Sequence, residues 1–344
     1  MENWMKAKID ENNIVISSRI RLARNLRTIP FPHKLSEEKA KEVVSLVEDA
    51  IYTASPMKNN YKSIYLWEQD DNTCRGFIEK HCISPKLMVN RQKAAFIMDN
   101  EETVSIMVNE EDHIRLQTIS GGLKLEEAYD LADKLDNLLE EKLEYAFDEK
   151  LGYLTACPTN IGTGLRASVM IHLPALAMNN EMDGVFNAVT KVGMTIRGLY
   201  GEGSKPEGNL FQISNQVTLG LTEEDIKNNL KAVVMQIINQ ENLSRQQLIN
   251  KYKYELQDKA YRSVGILKSA VILDSKECLN LLSNVRMAVE MGIIKDVDLA
   301  LLNNLLVETQ PATLQQAINS KLTEKERDFN RAKIVREKFK GKVF

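Results

Sequence analysis

Three acids stand together in Val108-Asn-Glu-Glu-Asp-His-Ile-Arg115, at the end of an apolar run and with no helical periodicity around them. Adjacent carboxylates repel one another, so Glu110, Glu111 and Asp112 are costly unless water or a bound cation offsets their charge. They read either as a solvated acidic loop or as groups that orient a cation and take its proton. A second stretch, Cys157-Pro-Thr-Asn-Ile-Gly-Thr-Gly-Leu-Arg-Ala-Ser168, is a glycine- and hydroxyl-rich turn that ends in Arg166 and enters the β-like run Val169-Met-Ile-His-Leu173. Such a turn brings backbone N–H groups and one guanidinium close to an anion, which suits a phosphate. In Val15-Ile-Ser-Ser-Arg-Ile-Arg-Leu22, strand alternation puts Arg19 and Arg21 on one face, as phosphate ligands or as a basic edge strand. Arg197-Gly-Leu-Tyr-Gly-Glu-Gly203 sets Glu202 in a glycine-rich loop after a strand, either folded over a nucleotide or a plain hairpin. Neither a Walker A motif nor a protein-kinase HRD/DFG set is present.

The elements that must position these residues fall into two textures. From Asn13 to about Gly220, strands are expected at Ser63–Glu68, Ala94–Met98, Thr103–Val108, Val169–Leu173, Gly193–Arg197 and Leu210–Ser214. Apolar spacing predicts amphipathic helices over Ser36–Ile51, with Ser36 as N-cap, and over Leu123–Phe147. Ten of the sixteen glycines fall between Gly152 and Gly220, where the unusual turns are therefore expected. Past Gly220 the pattern is helical: one helix opens at Thr222-Glu-Glu-Asp225, and others are expected at about 255–273, 276–291, 297–308, 311–320 and 323–340. A boundary near residue 250 divides an α+β part, 1–250, from an all-α part, 251–344.

Length and composition are those of a soluble globular chain with one large and one smaller domain: 344 residues, 43% hydrophobic and 27% charged. No apolar run approaches the ~18 residues that span a bilayer, and the N-terminus lacks a signal-peptide core. Four scattered cysteines show no metal or disulfide spacing, so a reduced, cytoplasmic protein is expected. The net charge of −3 hides a basic end: Lys321–Phe344 holds nine Lys/Arg against four Asp/Glu, about +5. That helix reads as a binding surface for anions or acidic partners, or as a solvated face.

Taken together, the NEEDH string followed by Arg115, the Cys157–Ser168 signature and the SSRIR strand resemble the phosphagen (guanidino) kinases, which move the γ-phosphoryl of ATP onto a guanidinium nitrogen. The resemblance implies a catalytic domain built on an antiparallel sheet with flanking helices, followed here by the all-α domain. A guanidinium is a poor nucleophile, cationic and delocalised with a pKa of roughly 12.5–13.8, so carboxylates must orient it while fixed cations hold the triphosphate. By resemblance Glu111 is the base, Glu110 and Asp112 support it, Glu202 closes the clamp from the other side, and Cys157 is the family's reactive cysteine. The implied nucleotide site takes Ser17, Ser18, Arg19, Ile20 and Arg21, then Arg115, then Arg166, Ala167, Ser168, Val169 and Met170. It ends with Arg197, Gly198, Leu199, Tyr200, Gly201 and Glu202. Small-molecule members carry a histidine where this chain has Met170. His172 lies two residues on, and His81 is either a substitute nucleotide contact or a structural histidine. ATP with Mg²⁺ carried by the nucleotide is the implied cofactor, with no separate metal site.

Small-substrate members place a helical domain before the SSRIR-like strand, whereas here that strand starts about sixteen residues in and a helical domain follows instead. This arrangement resembles the family's protein-arginine kinase branch, in which an RDxxRA motif is linked to allosteric phosphoarginine sensing. Arg327, Asp328, Phe329, Asn330, Arg331 and Ala332 match that motif, and Arg327 and Arg331 are expected on the outer face of their helix. The implied substrates are proteins with exposed arginines. Implied partners are a Clp ATPase/protease, a zinc-binding activator, a stress-gene repressor and a second copy of the chain, with neither membrane nor nucleic acid among them. A kinase of free arginine is the alternative enzyme reading, and a non-catalytic phosphoarginine adaptor the alternative outside enzymes.

Overall fold

A computed structural model describes residues 3–7, 13–53, 60–198 and 207–341. Its strands are β1 (Val15–Arg24), β2 (Tyr61–Tyr65), β3 (Ala95–Asp99), β4 (Val104–Val108), β5 (Ile114–Gly121), β6 (Phe147–Asp148), β7 (Gly152–Tyr153), β8 (Leu165–His172), β9 (Met194–Gly198) and β10 (Leu210–Asn215). The pair β6–β7 is a separate ribbon; the other eight form one sheet in the order β2-β3-β4-β5-β1-β8-β10-β9. Every neighbouring pair in that sheet is antiparallel. Helices α1 (Glu37–Tyr52), α2 (Asp71–Glu79), α3 (Leu125–Glu140), α4 (Pro174–Met178) and α5 (Met182–Lys191) sit between strands. The C-terminal helices are α6 (Glu223–Ser269), α7 (Ser275–Glu290), α8 (Leu299–Glu308), α9 (Pro311–Ile318) and α10 (Glu324–Phe339).

The local signals are realised where expected. Ser36 caps α1 by accepting from the Lys39 N–H, and Thr222 with Asp225 closes a reciprocal capping box on α6. Three elements differ from the sequence reading. β5 is a full strand that the neighbouring acids disguised, although Ile114 and Leu116 alternate with Arg115 and Gln117. β8 begins at Leu165, so Arg166 stands in the strand rather than in the turn before it. The helix expected to reach Phe147 stops at Glu140, because Leu143 and Tyr145 are buried in an extended segment that bridges to Leu26.

The two sheet faces have opposite character. One carries Ile20, Leu22, Leu116, Leu165, Ala167, Val169 and Ile213, all buried under α1, α3, α5 and the first half of α6. Burial of each Ile, Leu and Val side chain among them contributes roughly 1.5–3 kcal/mol, so this face is the main core. The other face is covered only at its two ends. A small cluster of Leu66, Cys74, Leu87, Phe96 and Met107 lies under α2 at one end. At the other, Ile119, Met170 and Leu210 join the core of the C-terminal helices. Between these apolar patches lies a polar gap.

The expected border at residue 250 falls inside α6, which runs on to Ser269 with one non-helical residue, Tyr252 (φ −133°, ψ 39°). The C-terminal helices dock against the sheet domain at two places. The Glu79 carboxylate of α2 accepts from the Ala312 and Thr313 N–H groups at the start of α9, and α7 packs over the end of β8 through Ser283 and His172.

Candidate active site

Strand register gathers the arginines. Residues opposite one another in an antiparallel ladder share a face. Arg21 lies opposite Gln117 on one side and Arg166 on the other, Arg19 opposite Ser168, and Met170 opposite both Ser17 and Gln212. Gln212 in turn faces Arg197, and Arg115 faces Ala23, two residues along β1 from Arg21. All five arginines of the sequence reading (Arg19, Arg21, Arg115, Arg166 and Arg197) therefore project from the partly open face. The same alternation sends Ser18, Ile20, Ala167 and Val169 to the opposite face. Ser18 there donates to the Gly122 carbonyl and Ile20, Ala167 and Val169 fill the core, so these four hold the strands and do not line the cleft.

Electrostatics on this face are unbalanced. Burial and the neighbouring Arg115 and Arg166 push the Arg19 guanidinium down to about 10. Burial, then Arg19, Arg115 and Arg166, lower Arg21 well below its ordinary value. Among the described residues, the buried Nε of Arg21 has no hydrogen-bond partner. A cluster of cations that depress one another, with a donor left over, is arranged to take an anion. A cleft of about 140 Å³ runs between Arg19, Arg21, Arg197, His81, Ser84 and Gln212, and continues over Ser17, Ser168 and Met170. His81 adopts φ +62°, presents its ring to Trp4 at 5.7 Å, and accepts at its carbonyl from Gln117 Nε2. Burial, with Arg19 beside it, pushes the His81 imidazole down to about 3, so the ring is neutral.

The acids form a tight turn beside this cleft. Asn109 turns the chain at φ +62°, a conformation asparagine tolerates better than most residues, and its amide donates to the Ala40 and Lys93 carbonyls. The three carboxylates then divide. Glu110 is buried against Ser84 and Arg115; burial opposes its ionisation, but Arg115, Ser84 and Arg21 together hold it below the usual carboxylate value. Asp112 is buried too, accepting from Asn25 Nδ2 and the Ala156 N–H at 2.6 Å each, and burial raises it despite those bonds. It ties the acid loop to the turn that carries Cys157. Glu111 alone reaches the opening, its side chain 31% exposed, with Lys86 Nζ at 2.5 Å and Arg115 Nη1 at 3.7 Å. His113 is a buried prop whose Nδ1 accepts from the Leu26 N–H, leaving Nε2 to donate to the Pro30 carbonyl.

The glycine-rich turn works differently from the phosphate cradle its composition suggested. The Ile161, Gly162 and Thr163 N–H groups are spent on the Pro158, Tyr153 and Thr218 carbonyls. Gly162 (φ +108°) and Gly164 (φ +64°) are required because a Cβ would meet Thr218 O and Ala23 O at 2.5 and 2.6 Å. The turn is a packed corner that fixes the start of β8, where Arg166 enters the strand. Cys157 is half-buried with Sγ 3.1 Å from Thr159 Oγ1. His172 follows Met170 on the cleft face but lies wholly under α7, bonded to Ser283, so it is remote from the cleft opening. Gly198 ends β9, and Leu199, Tyr200, Gly201 and Glu202 lie outside the described residues.

Three residues of this region escaped the sequence reading. Gln212 accepts from Arg19 Nη2 at 2.7 Å, and its alternation with Ser214 was a usable signal. Ser84 and Lys86, which hold Glu110 and Glu111, come from a stretch with no motif at all.

The C-terminal motif is not an outward pair of arginines. Arg331 is 1% exposed and its guanidinium donates to the Thr309 and Leu273 carbonyls and to Asp328. The Thr323 cap sets the phase of α10 so that Arg331, Val335 and Phe339 form its buried stripe, with Ala332 beside them. Arg327 and Asn330 are half-buried, Arg327 donating to the Leu322 carbonyl, while Phe329 faces solvent.

Comparison with known proteins agrees with this arrangement. Residues 42–244 match the model of the ATP:guanido phosphotransferase C-terminal catalytic domain, and residues 253–342 that of the protein-arginine kinase McsB C-terminal domain. The protein-arginine kinase of Clostridium kluyveri is 63% identical over 98% of both chains. That of Clostridium acetobutylicum is 60% identical over 98% of this chain and 99% of its own, and that of Brevibacillus brevis 46% over 98% and 95%. Among solved structures, lombricine kinase superposes with a TM-score of 0.59 at 27% identity over 68% of each chain. The duplicated taurocyamine kinase of Schistosoma mansoni gives 0.61 at 22% identity, over 78% of this chain and 41% of its own, a likeness of fold alone. A full-length match at this level, on a sheet that carries the arginines and acids described, means that the chain belongs to the ATP:guanido phosphotransferase family, in its protein-arginine kinase branch.

Proposed function

We propose that this protein transfers the γ-phosphoryl group of ATP to arginine side chains of proteins. The observation that carries the reading is the junction of five arginines on one sheet face with an acid loop whose single outward carboxylate is Glu111, in a chain 63% identical to a protein-arginine kinase. The triphosphate lies along Arg19, Arg21, Arg115, Arg166 and Arg197, always charged and bidentate toward phosphate oxygens. Neutral His81, with Ser17, Ser168 and Met170, lines the nucleoside end. Glu111 orients the acceptor guanidinium and takes the proton that its attacking nitrogen loses as the N–P bond forms and the bond from the γ-phosphorus to the β–γ bridging oxygen breaks, releasing ADP. Glu110 and Asp112 hold that loop in place, and Glu202 and Cys157 are assigned to the acceptor side by resemblance. Among the described residues no group of three or more His, Cys, Asp or Glu is placed to hold a metal; Mg²⁺ carried on the triphosphate supplies further charge neutralisation there.

The biological role that goes with this activity is marking proteins for a Clp ATPase/protease and disabling a stress-gene repressor, with a zinc-binding activator and a homodimeric enzyme in the cytoplasm. It rests on the resemblance. The helix α10 motif is the proposed phosphoarginine site. Its burial of Arg331 leaves Arg327 and the Asp328 edge as the accessible part. The test is incubation with ATP and either casein or free arginine, read by mass spectrometry: phosphoarginine on casein is expected, and efficient phosphorylation of free arginine with none on protein overturns the reading in favour of a small-substrate kinase.

A further inference from the structure

Residues 84–90 cover the acid loop and are stitched to it at several points. Ser84 caps the 3-10 turn Pro85–Asn90 and also donates to Glu110. Asn90 Nδ2 donates to the Asn109 and Glu110 carbonyls at 3.2 and 2.8 Å. Between these anchors Leu87 is fully buried in the small apolar cluster under α2. Lys86 is thus fixed at its backbone on both sides, while its side chain, 63% exposed, lays its ammonium on Glu111 Oε1 at 2.5 Å. The carboxylate assigned to the acceptor guanidinium is already occupied by a cation of this chain, with Arg115 at its other oxygen.

We propose that Lys86 is a gate on the acceptor site: its ammonium holds Glu111 in the absence of substrate and must be displaced by the incoming guanidinium. The inference rests on the proposed contact of Glu111 with the acceptor. A guanidinium that seats two of its N–H groups on Glu111 needs the Oε1 that Lys86 holds, so acceptor binding includes the loss of the Lys86–Glu111 pair. An exposed pair of this kind is weak, which suits a gate that delays binding without preventing it. Nucleotide binding should change little, because the Lys86 ammonium reaches the outward Glu111 and not the arginine-lined cleft.

The experiment compares wild type, Lys86→Met and Lys86→Arg in steady-state assays on a peptide holding one arginine. Lys86→Met keeps the stem and removes the charge; it is expected to lower the acceptor KM about fivefold, with kcat and the KM for ATP within twofold of wild type. Lys86→Arg keeps the charge and is expected to behave as wild type, which separates the charge from any role of the stem in folding. If Lys86→Met does not fold, Lys86→Gln carries the same expectation. An active wild type with an unchanged or raised acceptor KM in the uncharged variant overturns the gate. A wild type inactive on both the peptide and free arginine overturns the functional reading, and the gate with it.

Discussion

Two arginine clusters in this protein meet burial with different sets of partners. In the interface between sheet and C-terminal helices, Arg245 and Arg286 share Glu290 at 2.8 Å each, and Arg245 also reaches Glu241 at 2.7 Å. Two guanidinia meet two carboxylates, and His172 beside them stays neutral, pushed down to about 4 chiefly by burial. On the cleft face, Arg115 meets Glu110 and Glu111, while Arg19 and Arg21 are pushed down by burial and by neighbouring guanidinia. A buried charge is tolerated when paired and costly when not. The balanced cluster is a joint; in the other, the crowding of Arg19 and Arg21 is a cost that a bound polyanion would offset.

The contrast can be broken by experiment, beginning with the largest effect. Glu111→Gln keeps the shape of the one outward carboxylate but removes its charge, and loss of a general base costs about 10²–10⁴-fold in turnover. ATP affinity, read by calorimetry, should hardly move, because the arginines remain; near-wild-type turnover would falsify the assignment. Next, Arg286→Met leaves Glu290 with Arg245 as its one remaining arginine in the balanced joint. Breaking one partner out of a buried pair costs about 3–5 kcal/mol, to be read as a drop in urea-unfolding stability with ATP affinity retained in the folded fraction.

Arg21→Met reverses that pattern. Removing one cation from the crowded face should weaken ATP by about 1.5–3 kcal/mol, the worth of a charge-assisted bond, while unliganded stability holds or rises because a mutual repulsion is gone. A fall in unliganded stability matching that of Arg286→Met would erase the distinction between the two clusters. The smallest effect concerns pH. His172 is held at about 4 in the folded chain against an ordinary value near 6.5, so the unfolded chain binds the extra proton and stability falls as pH drops from 6.5 toward 4. His81 and His113, at about 3 and about 4, act in the same direction. Each contributes up to about 1.4 kcal/mol per pH unit in that window, and His172→Gln should remove its own share from the slope between pH 6 and 5.

Much of this was legible beforehand. The β1 arginines were placed on one face by strand alternation alone, and the helices after Gly220 begin and end near their caps and glycines. The NEEDH string marked the acid loop, and the resemblance it carries set Glu111 apart from Glu110 and Asp112; that those two turn inward and Glu111 outward depends on Ser84, Asn25 and the Ala156 amide, which are distant in sequence. In the glycine turn, composition reveals that the backbone is unusual but not where its N–H groups point: those of Ile161, Gly162 and Thr163 go to backbone carbonyls.

Arg331 gives the sharpest case. Its spacing from Arg327 suggested an outward pair, and the helix was real, yet a four-residue step also describes a buried stripe. Local patterning by itself determined the elements, the two textures and the chemical types gathered for the reaction, because those depend on side chains within a few residues of one another. Which guanidinia are neutralised and which are left in excess was decided only by tertiary structure. That balance depends on carboxylates and carbonyls brought in from elsewhere in the chain, such as Thr309 and Leu273 around Arg331 and Glu290 beside Arg245, and charge interactions act through space and not along the sequence.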